Sequence, residues 1–179
     1  MEKTLQKTLQ LLHRYDLLVF GWCMERKHLA VLARIARSVS RTADGYGYPA
    51  LALLAWWLGG ERGAAFMATL ALAFGLERPL YWTLKNGLRR NRPSSVLPGY
   101  NSFIIPSDQF SFPSGHTSGA FLTATALALF YPGTAPLGFT WAVLVAGSRV
   151  TLGVHFPTDT LAGALMGTTL AWCAAVWIT

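Results

Sequence analysis

The sequence predicts an all-α integral membrane protein, with five to six transmembrane helices in a bundle preceded by N-terminal amphipathic interfacial helices. Three observations carry this. Of the 179 residues, 53% are hydrophobic and only 13% charged, with seven tryptophans, a balance foreign to an ordinary soluble domain. The apolar residues gather into runs that reach or approach the length of a bilayer crossing. The basic residues behind the net charge of +7 crowd into residues 1–41, 85–92 and position 149 instead of covering a soluble face. That distribution suits anionic lipid head groups or a phosphorylated substrate and argues against nucleic acid as a partner. Cys23 and Cys173 lie in apolar contexts near opposite ends and give no disulfide framework.

The chain reads as one domain, 1–179, in which 1–43 is an amphipathic lead-in and 45–178 a transmembrane core. MEKTLQKTLQLLHRYD lacks a clean apolar stretch followed by a small-residue cleavage site, so no signal peptide is expected. Residues 4–20 place Leu5, Leu9, Leu12, Leu17, Leu18 and Phe20 among Lys7, His13 and Arg14, the pattern of a helix lying in the interface. RKHLAVLARIARSVSR, 26–41, sets Leu29, Leu32, Ile35, Ala36 and Val39 on one stripe and Lys27, Arg34, Arg37 and Arg41 largely elsewhere. This is a basic helix suited to anionic head groups.

GYGYPALALLAWWLGG, 45–60, is uncharged but short, and spans only by borrowing flanking residues, since a crossing needs about 20. Residues 63–84 form the second span, where Pro79 should kink the helix and the Glu77–Arg78 pair must face protein or water. Glu77 is read as neutralising Arg78. Residues 85–116 hold four of the nine prolines and three glycines and read as a long extramembrane connection. Runs at 117–131, 137–152 (after the turn PGTAP) and 160–178 complete five spans. In the last, Gly163 and Gly167 stand at GxxxG spacing, which permits close helix approach inside the chain, a homodimer through the same pair being the alternative.

Three polar clusters flank span ends, and alternating spans bring those ends to one side of the membrane. The first gives Lys85 and Arg92, the second Ser114, Gly115 and His116, and the third Arg149, His155 and Asp159. Lys85, Arg92 and Arg149 make a set of fixed cations, and the planar guanidinium matches phosphate oxygens bidentately. Ser114 and Gly115 precede a helix whose unpaired amides and positive dipole end favour an anion. A histidine can serve as nucleophile or general acid, and a carboxylate on one ring nitrogen fixes the tautomer that presents the other. Arg89, Arg90 and Asn91 read as solvated loop residues, a contact with a lipid head group being the alternative.

K-x6-RP (Lys85 to Pro93), PSGH (113–116) and SR-x5-H-x3-D (148–159) together resemble the tripartite signature of the type-2 phosphatidic acid phosphatase superfamily, which includes the vanadium haloperoxidases. SVSRTADG, 38–45, is similar to the lead-in of short bacterial members. The resemblance implies that His155 attacks phosphorus to give a phosphohistidine, that Asp159 orients it, and that His116 protonates the leaving oxygen. It further implies that Lys85, Arg92, Ser114, Gly115 and Arg149 hold the phosphoryl group, with no metal ion and no cofactor. The expected partner is a lipid phosphate, whether phosphatidate, phosphatidylglycerophosphate or a polyprenyl phosphate or pyrophosphate, and the expected location a bacterial plasma membrane. A soluble vanadate-binding haloperoxidase fits the spans poorly, and a catalytically silent membrane protein fits the intact motifs poorly. The side of the membrane stays open, because five spans and six spans put the site on opposite faces.

Overall fold

The computed structural model describes residues 2–179, with side chains at Lys7 and from residue 10 onward; the Leu5 and Leu9 side chains of the expected amphipathic stripe lie outside the described residues. Among the described residues there are seven α-helical segments and no strand: α1 (Glu2–Met24), α2 (Leu29–Arg41), α3 (Gly47–Leu88), the single turn α4 (Pro93–Val96), α5 (Gly115–Phe130), α6 (Ala135–Thr151) and α7 (Pro157–Ile178). The PGTAP turn is a short 3-10 segment, Pro132–Thr134, leading directly into α6.

α3 is two antiparallel arms, 47–59 and 61–88, joined at Gly60, the one residue within it that leaves helical dihedrals (φ 56, ψ −136). Only glycine adopts that conformation at low cost. The fold-back is tight, because a Cβ on Gly63 would lie 1.8 Å from the Ala55 carbonyl oxygen. The two runs expected at 45–60 and 63–84 are therefore this hairpin, and the Tyr48 and Phe74 rings meet across it at 4.9 Å. The chain remains helical through Pro79.

α5 sits at the centre, against α3, α6 and α7. Its seam with α7 is built from small residues: a Cβ on Gly163 would meet the Ser114 carbonyl oxygen at 2.5 Å, and one on Gly167 the Ser118 carbonyl oxygen at 2.1 Å. Both glycines are buried inside the chain, so the surface that a homodimer seam would have used is filled by α5. Next to this seam Phe66, Leu70 and Ala73 of α3 pack on Leu122, Ala126, Ala171 and Ala174.

The interior is thus rich in alanine, glycine and threonine, while large apolar side chains such as Leu53, Trp57, Leu137, Leu161, Leu165 and Trp177 are exposed. α2 follows the same rule: Ala33, Ala36 and Ser40 are buried on the side towards α6, whereas Leu32 and Ile35 of its apolar stripe point outward. It forms a wall of the bundle beside α6. By length and hydropathy, one described helix, α7, is long and apolar enough to cross a membrane. α5 has 16 residues and α6 has 17, which at about 1.5 Å per residue fall short of the hydrocarbon thickness.

Gly167→Ala puts a methyl group against backbone and should destabilise the protein by about 1–3 kcal/mol, read as a lower unfolding midpoint in detergent. Gly75→Ala, where a Cβ meets nothing within 4 Å, should leave the midpoint unchanged or raise it.

Candidate active site

The last turn of α3 carries Lys85, and the chain then leaves the helix through Arg89 in a left-handed conformation (φ 47, ψ 38). Arg92 follows as the cap of α4, with Pro93 at its first position, where a missing N–H costs nothing. The seven-residue spacing thus carries the chain around a helix end, and both cations turn inward, 1% and 4% exposed. Lys85 Nζ donates to Asp108 Oδ1 and Oδ2 at 3.0 and 2.9 Å and to the Tyr81 hydroxyl, one turn earlier, at 2.6 Å. Arg92 donates through Nε to the Asp108 carbonyl at 3.1 Å, through Nη1 to the Val154 carbonyl at 2.5 Å, and through Nη2 to Asp108 Oδ1.

Asp108, which the sequence reading missed, is therefore the anion on which these two buried cations close. Burial alone would raise its carboxyl, but hydrogen bonds from Tyr81 and Lys85, with the charges of Lys85 and Arg92, outweigh that and bring it down to about 2.

Ser114 caps α5, and its amide donates to the Asp159 carbonyl at 3.0 Å, tying the start of α5 to the start of α7. Gly115 is required by the Tyr81 ring, which a Cβ would meet at 2.9 Å. One residue on, His116 Nε2 lies 3.0 Å from Asp44 Oδ1. Arg149, in the last turn of α6, is 5% exposed; its Nη1 donates to Ser40 Oγ at 2.6 Å, and its buried Nε has no partner.

His155 occupies the loop between α6 and α7, buried, with Nδ1 3.7 Å from Asp159 Oδ2. That is longer than a hydrogen bond. Oδ2 instead accepts the Phe156 amide at 2.7 Å, a helix cap, while Oδ1 accepts Arg90 Nη1 at 2.7 Å. Burial, together with the cations Arg149 and Arg92, pushes the His155 imidazole down to about 4 against the opposing pull of Asp159, so it is neutral at pH 7.

All eight residues singled out from the three motifs thus fall at one end of the bundle. Arg90 corrects the sequence reading: Nη1 bonds Asp159 and Thr158 and Nη2 bonds Asp16, so this is a structural ion pair and no solvated loop residue. Arg89 and Asn91 are exposed, as expected. Glu77 is buried and paired with Arg78, again as expected. Beyond Asp108, the sequence reading missed Ser40, Asp44 and Asp16. The first two lie in SVSRTADG, so a signal for them existed; Asp16 had none.

Two cavities meet at His116. One, about 630 Å3, runs between the arms of α3 along Tyr48, Ala52, Leu53, Met67, Leu70 and Phe74 to Tyr81. The other, about 550 Å3, is mixed, lined by Arg37, Ser40, Arg41, Asp44 and Arg149 on one hand and by Phe103, Ile104 and Leu152 on the other.

A family model described as the PAP2 superfamily matches residues 62–179. The chain is 33% identical to YbjG of Escherichia coli over 120 residues, covering 66% of this chain and 60% of that protein. It is 35% identical to phosphatidylglycerophosphatase B of Bacillus subtilis over 109 residues, 55% of this chain and 51% of the relative. It is 37% identical to an undecaprenyl-diphosphatase of Sulfolobus acidocaldarius over 110 residues, 58% and 51%. The chain thus spans between 51% and 60% of the length of these curated relatives. Among solved structures, LpxE of Aquifex aeolicus is similar at 29% identity with a TM-score of 0.77 over 88% of this chain and 93% of that one.

The position of His155 makes stability pH-dependent with a definite sign. Between pH 6.5 and 4 the unfolded chain takes up a proton that the folded chain refuses, so folded stability falls as pH drops through that window, by about 3 kcal/mol at its lower end. Denaturant unfolding at pH 7 and pH 4 should show this loss in the wild type and a correspondingly smaller one in His155→Gln.

Proposed function

The chain belongs to the PAP2 superfamily, and we propose that it is an integral-membrane phosphatase that removes a phosphoryl group from a lipid phosphate or pyrophosphate through a phosphohistidine. The observation that carries this reading is the junction at His116, where a cavity lined by Arg37, Arg41 and Arg149 meets a long apolar one, suited to one substrate with a phosphorylated head and a hydrocarbon tail. The relatives' names support the class of substrate, a phosphatidylglycerophosphate or a polyprenyl diphosphate.

The bound phosphoryl group displaces Asp108 from Lys85 and Arg92 and takes up the unpaired Arg149 Nε–H. Three cations then hold its oxygens, placing positive charge where negative charge must be stabilised in the transition state. His155, neutral and with Nδ1 turned to Asp159, presents Nε2. An N–P bond forms as the P–O bond to the lipid breaks, and His116, backed by Asp44, delivers the proton to the leaving oxygen. Water then attacks phosphorus as His116 takes its proton, the N–P bond breaks with its electron pair returning to His155 Nε2, and orthophosphate leaves.

The membrane reading rests on the inverted distribution of side chains, large and apolar outside, small and polar inside, as expected where lipid replaces water. Five spans, the two arms of α3 with α5, α6 and α7, suit the packing better than six. Over twelve positions of α1, His13, Asp16, Phe20 and Met24 touch Phe156, Thr158 and Tyr100, all at the end of the bundle that holds the site. A helix crossing beside α7 would descend along it; α1 lies across the mouth.

The test is orthophosphate release by the purified chain from a panel of lipid monophosphates and diphosphates in mixed micelles. His155→Ala should lower kcat by about 10^3-fold or more, and His116→Ala by about 10^2 to 10^4-fold. Release unchanged in both variants would end the reading.

A further inference from the structure

Arg90 is 25% exposed, lies outside both cavities that meet at His116, and spends both terminal nitrogens on buried carboxylates. Nη1 donates to Asp159 Oδ1 at 2.7 Å and to Thr158 Oγ1 at 2.6 Å; Nη2 donates to Asp16 Oδ2; and the guanidinium stacks 4.7 Å from the Phe156 ring centre. Asp16, fully buried, is itself locked: Oδ1 accepts the Thr158 amide at 2.9 Å and Oδ2 the Thr158 hydroxyl at 2.5 Å. One guanidinium thus bridges two carboxylates, one from α1 and one from α7, on which no other cation lies among the described residues.

This arrangement leaves Asp159 no freedom. With Oδ1 pinned by Arg90 and Oδ2 by the Phe156 amide, the carboxylate can present only one edge to His155 Nδ1, the edge now 3.7 Å away. Without Arg90, two buried anions would face each other uncompensated, and one would rotate out or take up a proton. Either change removes the charge that sets the His155 ring for attack.

We infer that Arg90, anchored by Asp16 of α1, is a positioning residue of the phosphatase: it acts on turnover through Asp159 and never touches the substrate. α1 is then a working part of the site, since its buried Asp16 completes the chain Asp16, Arg90, Asp159, His155. The inference rests on the phosphatase reading above and extends it to residues outside the three motifs.

A mutant cycle on the purified chain tests it. Arg90→Gln should lower kcat about 10 to 100-fold with KM within about twofold, and Asp16→Asn, which keeps side-chain shape, should lower kcat several-fold. In the Asp159→Asn background each should cost less than about a further twofold, because the group they act through is already neutral. If Arg90→Gln fails to fold, the Asp16→Asn arm alone carries the comparison. A rise in KM with kcat unchanged would make Arg90 a head-group contact, and equal losses in both backgrounds would make the network merely structural; either overturns the inference. A wild-type chain that turns over no lipid phosphate would instead sink the phosphatase reading beneath it.

Discussion

The structure turns on the burial of positive charge at the ends of helices. Lys85, Arg92 and Arg149 are each at most 5% exposed, and an isolated buried ion costs several kcal/mol even after relaxation. Such a cluster is tolerable only with an anion inside it. In this structure the anion is Asp108, held by two of the cations and by Tyr81, and a phosphoryl group is the chemical substitute for it. In the function proposed above, binding is an exchange of one anion for another with more oxygens and more charge, which would give Arg149 Nε a partner.

That exchange needs the helix ends to arrive together, and the scaffold achieves this with small residues. Gly163 and Gly167 let α7 run against the backbone of α5, and the Ser114 amide bonds the Asp159 carbonyl at the top of the same seam. The residues on either side of the phosphoryl position are therefore fixed to each other by main chain. α2 and the turn after it close the third side through Ser40 and Asp44, which reach Arg149 and His116.

Legibility in the sequence followed the range of the interactions. Lys85 and Arg92, or His155 and Asp159, are close in the chain, and their spacing reflects one helix end, so the sequence reading placed them well. The pairing of Arg90 with Asp16 spans 74 positions and depends on how α1 docks, which no local pattern encodes. Asp108 sits in an irregular segment without periodicity, so nothing marked it among its neighbours. The apolar stripe of α2 does not by itself say which of its residues pack inside. Where the surroundings are apolar, large side chains gain nothing by facing inward and close packing favours small ones, so Ala33 and Ala36 are buried and Ile35 is not.

The central claim is that His155 carries the phosphoryl group during turnover. Its most direct measurement is a rapid quench of the purified chain at alkaline pH during hydrolysis of a lipid diphosphate, followed by mass spectrometric mapping of the phosphorylated residue. The account predicts an acid-labile phosphate on His155, absent from His155→Ala and accumulating in a variant slowed at the water-attack step. Steady orthophosphate release with no phosphate on His155 in any quenched sample, or phosphate mapped to another side chain, would contradict it.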